Sequence, residues 1–92
     1  MSVYVDDAKN PYQRMKMCHM IADTVNELHI MAGLIGVKLK WFQKDASFPH
    51  YDICLSKRAQ AVQYGAIQVD RRQLVEHMRR IRCGGKTTWI KT

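Results

Sequence analysis

Between Met17 and Gln43 the chain changes its hydrophobic period twice, and this restricts the possible folds more than any other feature. Asp23-Thr24 opens a helix, because Thr24-Val25-Asn26-Glu27 fits the capping box, in which a hydroxyl and a carboxylate reciprocally satisfy free backbone amides. Val25, Leu28, Ala32 and Ile35 then recur at helical spacing, and Gly36 supplies a left-handed stop. Met17–Ala22 before this helix and Val37–Gln43 after it alternate with the two-residue period of strands. A helix bracketed by strands points to an α/β class.

The remaining elements fit the same class. Val3–Val5 reads as a short strand, Lys9-Asn10-Pro11 as a turn and Lys44–Pro49 as a loop. His50–Leu55 is a strand that passes into a helix over Ser56–Tyr64, ended by Gly65. Ala66–Val69 is a strand, and Asp70 caps a last helix whose Leu74, Val75, Met78 and Ile81 face inward until Gly84-Gly85. The order is β-β-α-β-β-α-β-α. It predicts a small single-domain α/β sandwich over residues 1–85, a mixed sheet of about four to five strands with about three helices, and a basic tail over 86–92. His50–Val69 can form one βαβ unit, although its connection is short. Ile30 and Leu34 point away from the apolar stripe of the first helix, so either a second layer or another subunit covers them, and in so small a domain a homodimer through these two residues is the expectation.

A chain of 92 residues is one domain. Its longest uncharged stretch, Leu28–Val37, is about half the ~20 residues that span a bilayer. Asp6-Asp7 interrupts any signal-peptide pattern, and Cys18, Cys54 and Cys83 lack metal-ligand spacing. A cytoplasmic protein without membrane, metal or cofactor is expected. The net charge of +7 is unevenly placed: residues 1–70 carry eight Lys/Arg against seven Asp/Glu, and residues 71–92 carry seven against Glu76 alone. Localised positive charge suits a polyanionic partner. Arg72, Arg79, Arg80, Arg82 and Lys86 are the candidate nucleic-acid contacts, arginine matching phosphate by its fork geometry. Gly84-Gly85-Lys86-Thr87-Thr88 is not a P-loop, because Arg80 stands where the first glycine of that motif belongs.

One stretch raises a physical question. His50-Tyr51-Asp52-Ile53-Cys54-Leu55 alternates and leads into Ser56-Lys57-Arg58, which places two cations in the first turn of a helix. The helix macrodipole disfavours positive charge there, unless an anion sits over the amides. Ser56, Lys57 and Arg58, with Tyr51, are therefore candidate ligands for a phosphate group; the alternative is that both cations bend away or are compensated. On a strand His50 and Asp52 share a face about 6.5–7 Å apart. His50, Asp52, His19 and Asp6 are candidate catalytic residues if the fold brings them together, as an acid–base group or, with His29, as a mixed N/O metal site. Nothing in their spacing demands that convergence.

Val3-Tyr4-Val5-Asp6-Asp7, Met17-Cys18-His19-Met20-Ile21-Ala22-Asp23-Thr24, Glu27-Leu28-His29, Trp41-Phe42-Gln43 and His50-Tyr51-Asp52 leading to Ser56-Lys57-Arg58-Ala59 form an ordered set of motifs. Over about residues 3–69 the chain resembles domain-of-unknown-function family 4031, a small family of bacterial and phage proteins. The resemblance implies a cytoplasmic or phage-encoded domain and carries over no activity, cofactor or catalytic residue.

Three functions follow as expectations. The first, the reading the residues favour with the other two as alternatives, is a binding module for a phosphate-containing anion such as a nucleotide or nucleic acid. The second is a small hydrolase or transferase acting on a nucleotide or phosphodiester through the His/Asp residues. The third is a phage accessory protein that modulates a host protein.

Overall fold

The computed structural model describes residues 2–44 and 48–83. Its frame is a six-stranded mixed sheet built on one long strand, β3 (Met15–Ala22). One edge of this strand pairs antiparallel with two short strands in line, β1 (Val3–Val5) and β2 (Asn10–Tyr12). The other edge pairs antiparallel with β5 (His50–Cys54), and β4 (Phe42–Gln43) lies outside β5. The parallel strand β6 (Ile67–Gln68) lies outside β1, so the order is β4-β5-β3-β1-β6. Helix α2 (Leu55–Gln63) carries the chain from β5 over two intervening strands to β6, which makes β5-α2-β6 a crossover between parallel strands.

The sheet separates two unlike layers. Val3, Val5, Met20, Ala22, Tyr51 and Ile53 face α1 (Val25–Leu34) and α2, where Leu28, Met31, Ala32, Ile35 and Ala61 complete a buried cluster. On the opposite face Tyr4 and Ile21 meet Leu74 of α3 (Arg71–Cys83), with Phe48 and Val69 buried and Met78 and Ile81 packed against them. The Tyr4 hydroxyl donates to Asp23 Oδ1 (3.1 Å) and accepts from Arg80 Nη2 (3.0 Å), and its ring stacks on His77. These contacts fasten α3 over one end of that face. Among the described residues no helix is long and apolar enough to cross a membrane.

The helix ends show the expected chemistry with one variation. Thr24 Oγ1 accepts from the Glu27 amide (3.2 Å), but the Glu27 carboxylate bonds the Thr24 hydroxyl (3.1 Å) instead of a backbone amide. Asp70 and Gln73 form the full reciprocal cap at α3: the Gln73 amide donates to Asp70 Oδ1 (2.8 Å) and the Asp70 amide to Gln73 Oε1 (2.9 Å). Gly36 takes φ +76° after α1, in the left-handed region that a side chain disfavours.

Four expectations need correction, the first being Val75 of α3, which is exposed and does not face inward. Lys9-Asn10-Pro11 is not simply a turn. Residues of positive φ, Lys9 and Gln13, bracket strand β2, and Pro11 is tolerated because β2 is an edge strand. This strand brings the count to six. Val37–Gln43 is a 3-10 turn over Leu39–Trp41 followed by the two-residue β4, and Leu39 is exposed, so alternation there does not report burial. Helix α2 begins at Leu55, one residue before the expected start at Ser56, with Cys54 in the capping position, so Ser56 lies inside its first turn. Gly84-Gly85, the tail 86–92 with Lys86, and Asp45–Ser47 of the expected loop lie outside the described residues.

Candidate functional site

Strand register builds the site. Val5 pairs with Met20, and one step on the Asp6 amide donates to the His19 carbonyl (3.1 Å), which makes Asp6 and His19 cross-strand neighbours. On the other edge of β3, His19 pairs with Asp52. The three residues form a row across three strands, and His50, two residues before Asp52, points to the same face. Asp6 Oδ2 lies 2.7 Å from His19 Nδ1, His19 Nε2 lies 3.9 Å from Asp52 Oδ1, and His50 Nε2 lies 3.2 Å from that same oxygen. His50 Nδ1 donates to the Phe48 carbonyl (2.9 Å), and the two imidazole rings meet edge to face at 5.1 Å. One ligand atom each from His19, His50 and Asp52 lie within 4.8 Å of one another.

Burial increases inward along the row. The Asp6 side chain is fully buried, whereas those of His19 and Asp52 remain 24% and 32% exposed, which opens that end to solutes. Burial works against the Asp6 charge, but the His19 ring and the amides of His19 and Ala8 outweigh it and hold the carboxyl below its usual range. Burial likewise works against a charged His50. The neighbouring Asp52, the Phe48 carbonyl and the Asp6 charge outweigh it and raise the His50 pKa above its ordinary value.

The row connects three depressions. Asp6, His19 and His50 share one with Arg71, Val75 and Met78 of α3. His19 and Asp52 share a second with Tyr12, Trp41 and Gln43. Asp52 also lines a cavity of about 280 Å³ together with Lys38, Lys40, Lys57, Trp41 and Cys54. Lys38, Lys40, Trp41 and Arg71 were not singled out in the sequence as lining a site. The interleaved Lys38-Leu39-Lys40-Trp41 was the available signal, a basic and aromatic mixture that a strand reading concealed.

The paired cations at the start of α2 take different partners. Lys57 Nζ lies beside Gly36, so close that a Cβ there would stand 3.2 Å away; its charge meets the electronegative C-terminal end of α1. Arg58 Nε donates to the Asp6 carbonyl (2.6 Å) and Nη1 to Gln68 Oε1 (3.3 Å), which ties the ends of β1 and β6 to α2. These partners offset the unfavourable dipole without an anion. The Ser56 hydroxyl bonds Cys54 Sγ (3.3 Å). Burial opposes a Cys54 thiolate, but this bond and the amides of Lys57 and Ser56 outweigh it and keep the thiol below its ordinary value. Ser56, Lys57 and Arg58 thus do not gather at one point, and Tyr51 is buried on the opposite face with its hydroxyl on His29 Nδ1 (2.7 Å). His29 accordingly stands apart from His19 and His50.

Of the candidate nucleic-acid contacts, Arg72 and Arg79 are exposed on α3. Arg80 bonds Tyr4, His77 and Asp23. Arg82 belongs to α3, and Lys86 lies outside the described residues. Ile30 and Leu34 are 63% and 52% exposed.

No curated protein and no solved structure matches the chain. A family model described as "Protein of unknown function (DUF4031)" matches residues 3–81, a stretch that contains the whole Asp6–His19–Asp52–His50 group and most of α3, and the chain belongs to that family.

Proposed function

We propose that the chain is a small hydrolase or transferase of phosphate esters, acting on a nucleotide or a nucleic-acid phosphodiester, with Asp6, His19, Asp52 and His50 as its reacting centre. The observation that carries this reading is the 2.7 Å bond between Asp6 Oδ2 and His19 Nδ1, which holds the imidazole with Nε2 turned toward Asp52 and solvent. A histidine oriented by a buried carboxylate is a recurrent arrangement for moving a proton or presenting an electron pair. In hydrolysis a water oxygen bonds to phosphorus as the bond to the leaving oxygen breaks. The proton lost by the water passes into the row, and the leaving oxygen takes one back.

The substrate class is supported by charge and shape. Lys38, Lys40 and Lys57 surround a cavity that Asp52 joins to the row, and Trp41 offers an aromatic face for a base. Arg71 stands on the other side with Arg72 and Arg79 farther along α3, placed to track a phosphate backbone. Preorganised cations of this kind stabilise charge that develops on phosphoryl oxygens.

The test is turnover of bis(p-nitrophenyl) phosphate, nucleoside phosphates and short oligonucleotides, with and without added divalent ions. His19→Ala and Asp52→Asn are expected to lower kcat by about 10²–10⁴-fold. Lys57→Ala raises KM more than it lowers kcat. Absence of turnover on every phosphate ester overturns the reading, as does activity that His19→Ala leaves intact.

A further inference from the structure

We infer that His19 Nε2, His50 Nε2 and Asp52 Oδ1 form the binding site of one divalent transition-metal ion. The inference rests on the reacting centre proposed above, but its evidence lies in how the two rings are fixed. The Phe48 carbonyl and the ionised Asp6 carboxylate can only accept hydrogen bonds, so each histidine carries a proton on Nδ1. With Nδ1 so engaged, Nε2 is the nitrogen of each ring left to offer a lone pair, and both Nε2 atoms face the same carboxylate oxygen at 3.9 and 3.2 Å. Three electron-pair donors that converge without a proton between them repel one another unless a cation intervenes.

A proton satisfies part of this arrangement. On His50 Nε2 it bridges to Asp52 across 3.2 Å, yet His19 Nε2 at 3.9 Å stays beyond hydrogen-bond reach of that oxygen. A metal ion serves all three donors together. Bonds of about 2.0–2.2 Å in a tetrahedral site place donors about 3.3 Å apart. The His50–Asp52 pair already has that spacing, and the wider separations, all within 4.8 Å, close by small side-chain rotations.

The supporting shell and the chemistry of the donors agree. A ring N–H donated to a carboxylate or backbone carbonyl is the usual partner of a metal-bound histidine, and both histidines have one. Two imidazoles with one carboxylate suit zinc, manganese, iron, cobalt or nickel better than calcium or magnesium. Three protein ligands leave a coordination position for water at the open end of the row, beside the lysine-lined cavity. An ion held there by His19, His50 and Asp52 would lower the pKa of a bound water and so supply a nucleophile for phosphate-ester cleavage.

The test is a titration of metal-free protein with Co²⁺, followed by its visible absorption bands, with Zn²⁺ as competitor. One ion per chain is expected. His50→Ala and Asp52→Ala should weaken binding by at least about 100-fold and Asp6→Asn by about 10–100-fold through the supporting shell. His29→Gln, on the other face, should leave it unchanged, with circular dichroism confirming that each variant is folded. Failure to saturate at one ion per chain, or binding that survives both His50→Ala and Asp52→Ala, overturns the metal site. Turnover that persists in chelator without Co²⁺ binding removes the metal and leaves the phosphate-ester reading standing. Saturable Co²⁺ binding without turnover does the reverse.

Discussion

Strand β5 divides its residues between two environments. Tyr51 and Ile53 point into a face that α1 and α2 cover completely, where nearly every side chain is apolar. His50 and Asp52, their immediate neighbours, point to a face that α3 covers only at the Tyr4–Ile21 end, leaving the ring and carboxylate groups partly open. A two-residue period thus brings a tightly packed core and a polar centre within one peptide unit of each other. The covered face supplies most of the stability, and the open face holds groups whose mutual repulsion and desolvation work against it. Such a division lets the open end of the row, at His50 and Asp52, vary in charge without loosening the fold.

The largest effect that tests this division is a paired comparison within β5. Ile53→Ala removes buried volume from the covered face and is expected to cost about 2–5 kcal/mol in urea unfolding. Asp52→Asn, one residue away, leaves a half-exposed site and changes stability by no more than about 1 kcal/mol. Comparable losses from the two substitutions would mean that the polar row is structural, and the contrast between faces would fail.

A middle-sized effect sharpens the contrast at the buried end of the row. Asp6 is the one charged residue sealed inside the open-face layer among the described residues, and its carboxyl is held below the usual range. A carboxylate depressed in the folded state stabilises above its unfolded pKa of about 3.9, and that contribution is lost as pH falls through the folded value. Metal-free protein in chelator should therefore lose stability between about pH 4 and the folded pKa. Asp6→Asn should flatten that part of the acid limb and lower stability at neutral pH by about 1.5–3 kcal/mol. An unchanged acid limb in the variant would show that Asp6 is not a charged tie between β1 and β3.

How far the sequence disclosed all this differs between the two faces. The covered face was legible because its signals are local: alternation at Tyr51 and Ile53, the helical spacing of Leu28, Ala32 and Ile35, and a cap at Thr24. The row was legible as residues, Asp6, His19, His50 and Asp52, but not as a convergence, because Asp6, His19 and Asp52 meet through the register of three strands that are distant in sequence. No spacing along the chain encodes that register. The pair Lys57-Arg58 was only partly legible for a related reason. Their charges were legible, but the partners that absorb them, the Gly36 end of α1 and the Asp6 carbonyl, are supplied by tertiary contacts. Leu39 shows the converse case, a regular alternation with no sheet beneath it.

The smallest effect concerns the hydrogen bond between Tyr51 and His29 on the covered face. Tyr51 is buried with its hydroxyl 2.7 Å from His29 Nδ1, and burial pushes its pKa above the ordinary tyrosine value. An acid whose folded pKa is raised favours the folded state fully below its unfolded pKa of about 10, and the advantage is lost as pH rises through the folded value. Tyr51→Phe should cost about 0.5–1.5 kcal/mol at neutral pH for the lost bond and should reduce the decline above about pH 10. Asp6→Asn should not affect this alkaline decline, and Tyr51→Phe should not affect the acid one. If either substitution altered the opposite limb, the two faces would be one electrostatic unit, and the separation of a stabilising side from a reacting side would have to be abandoned.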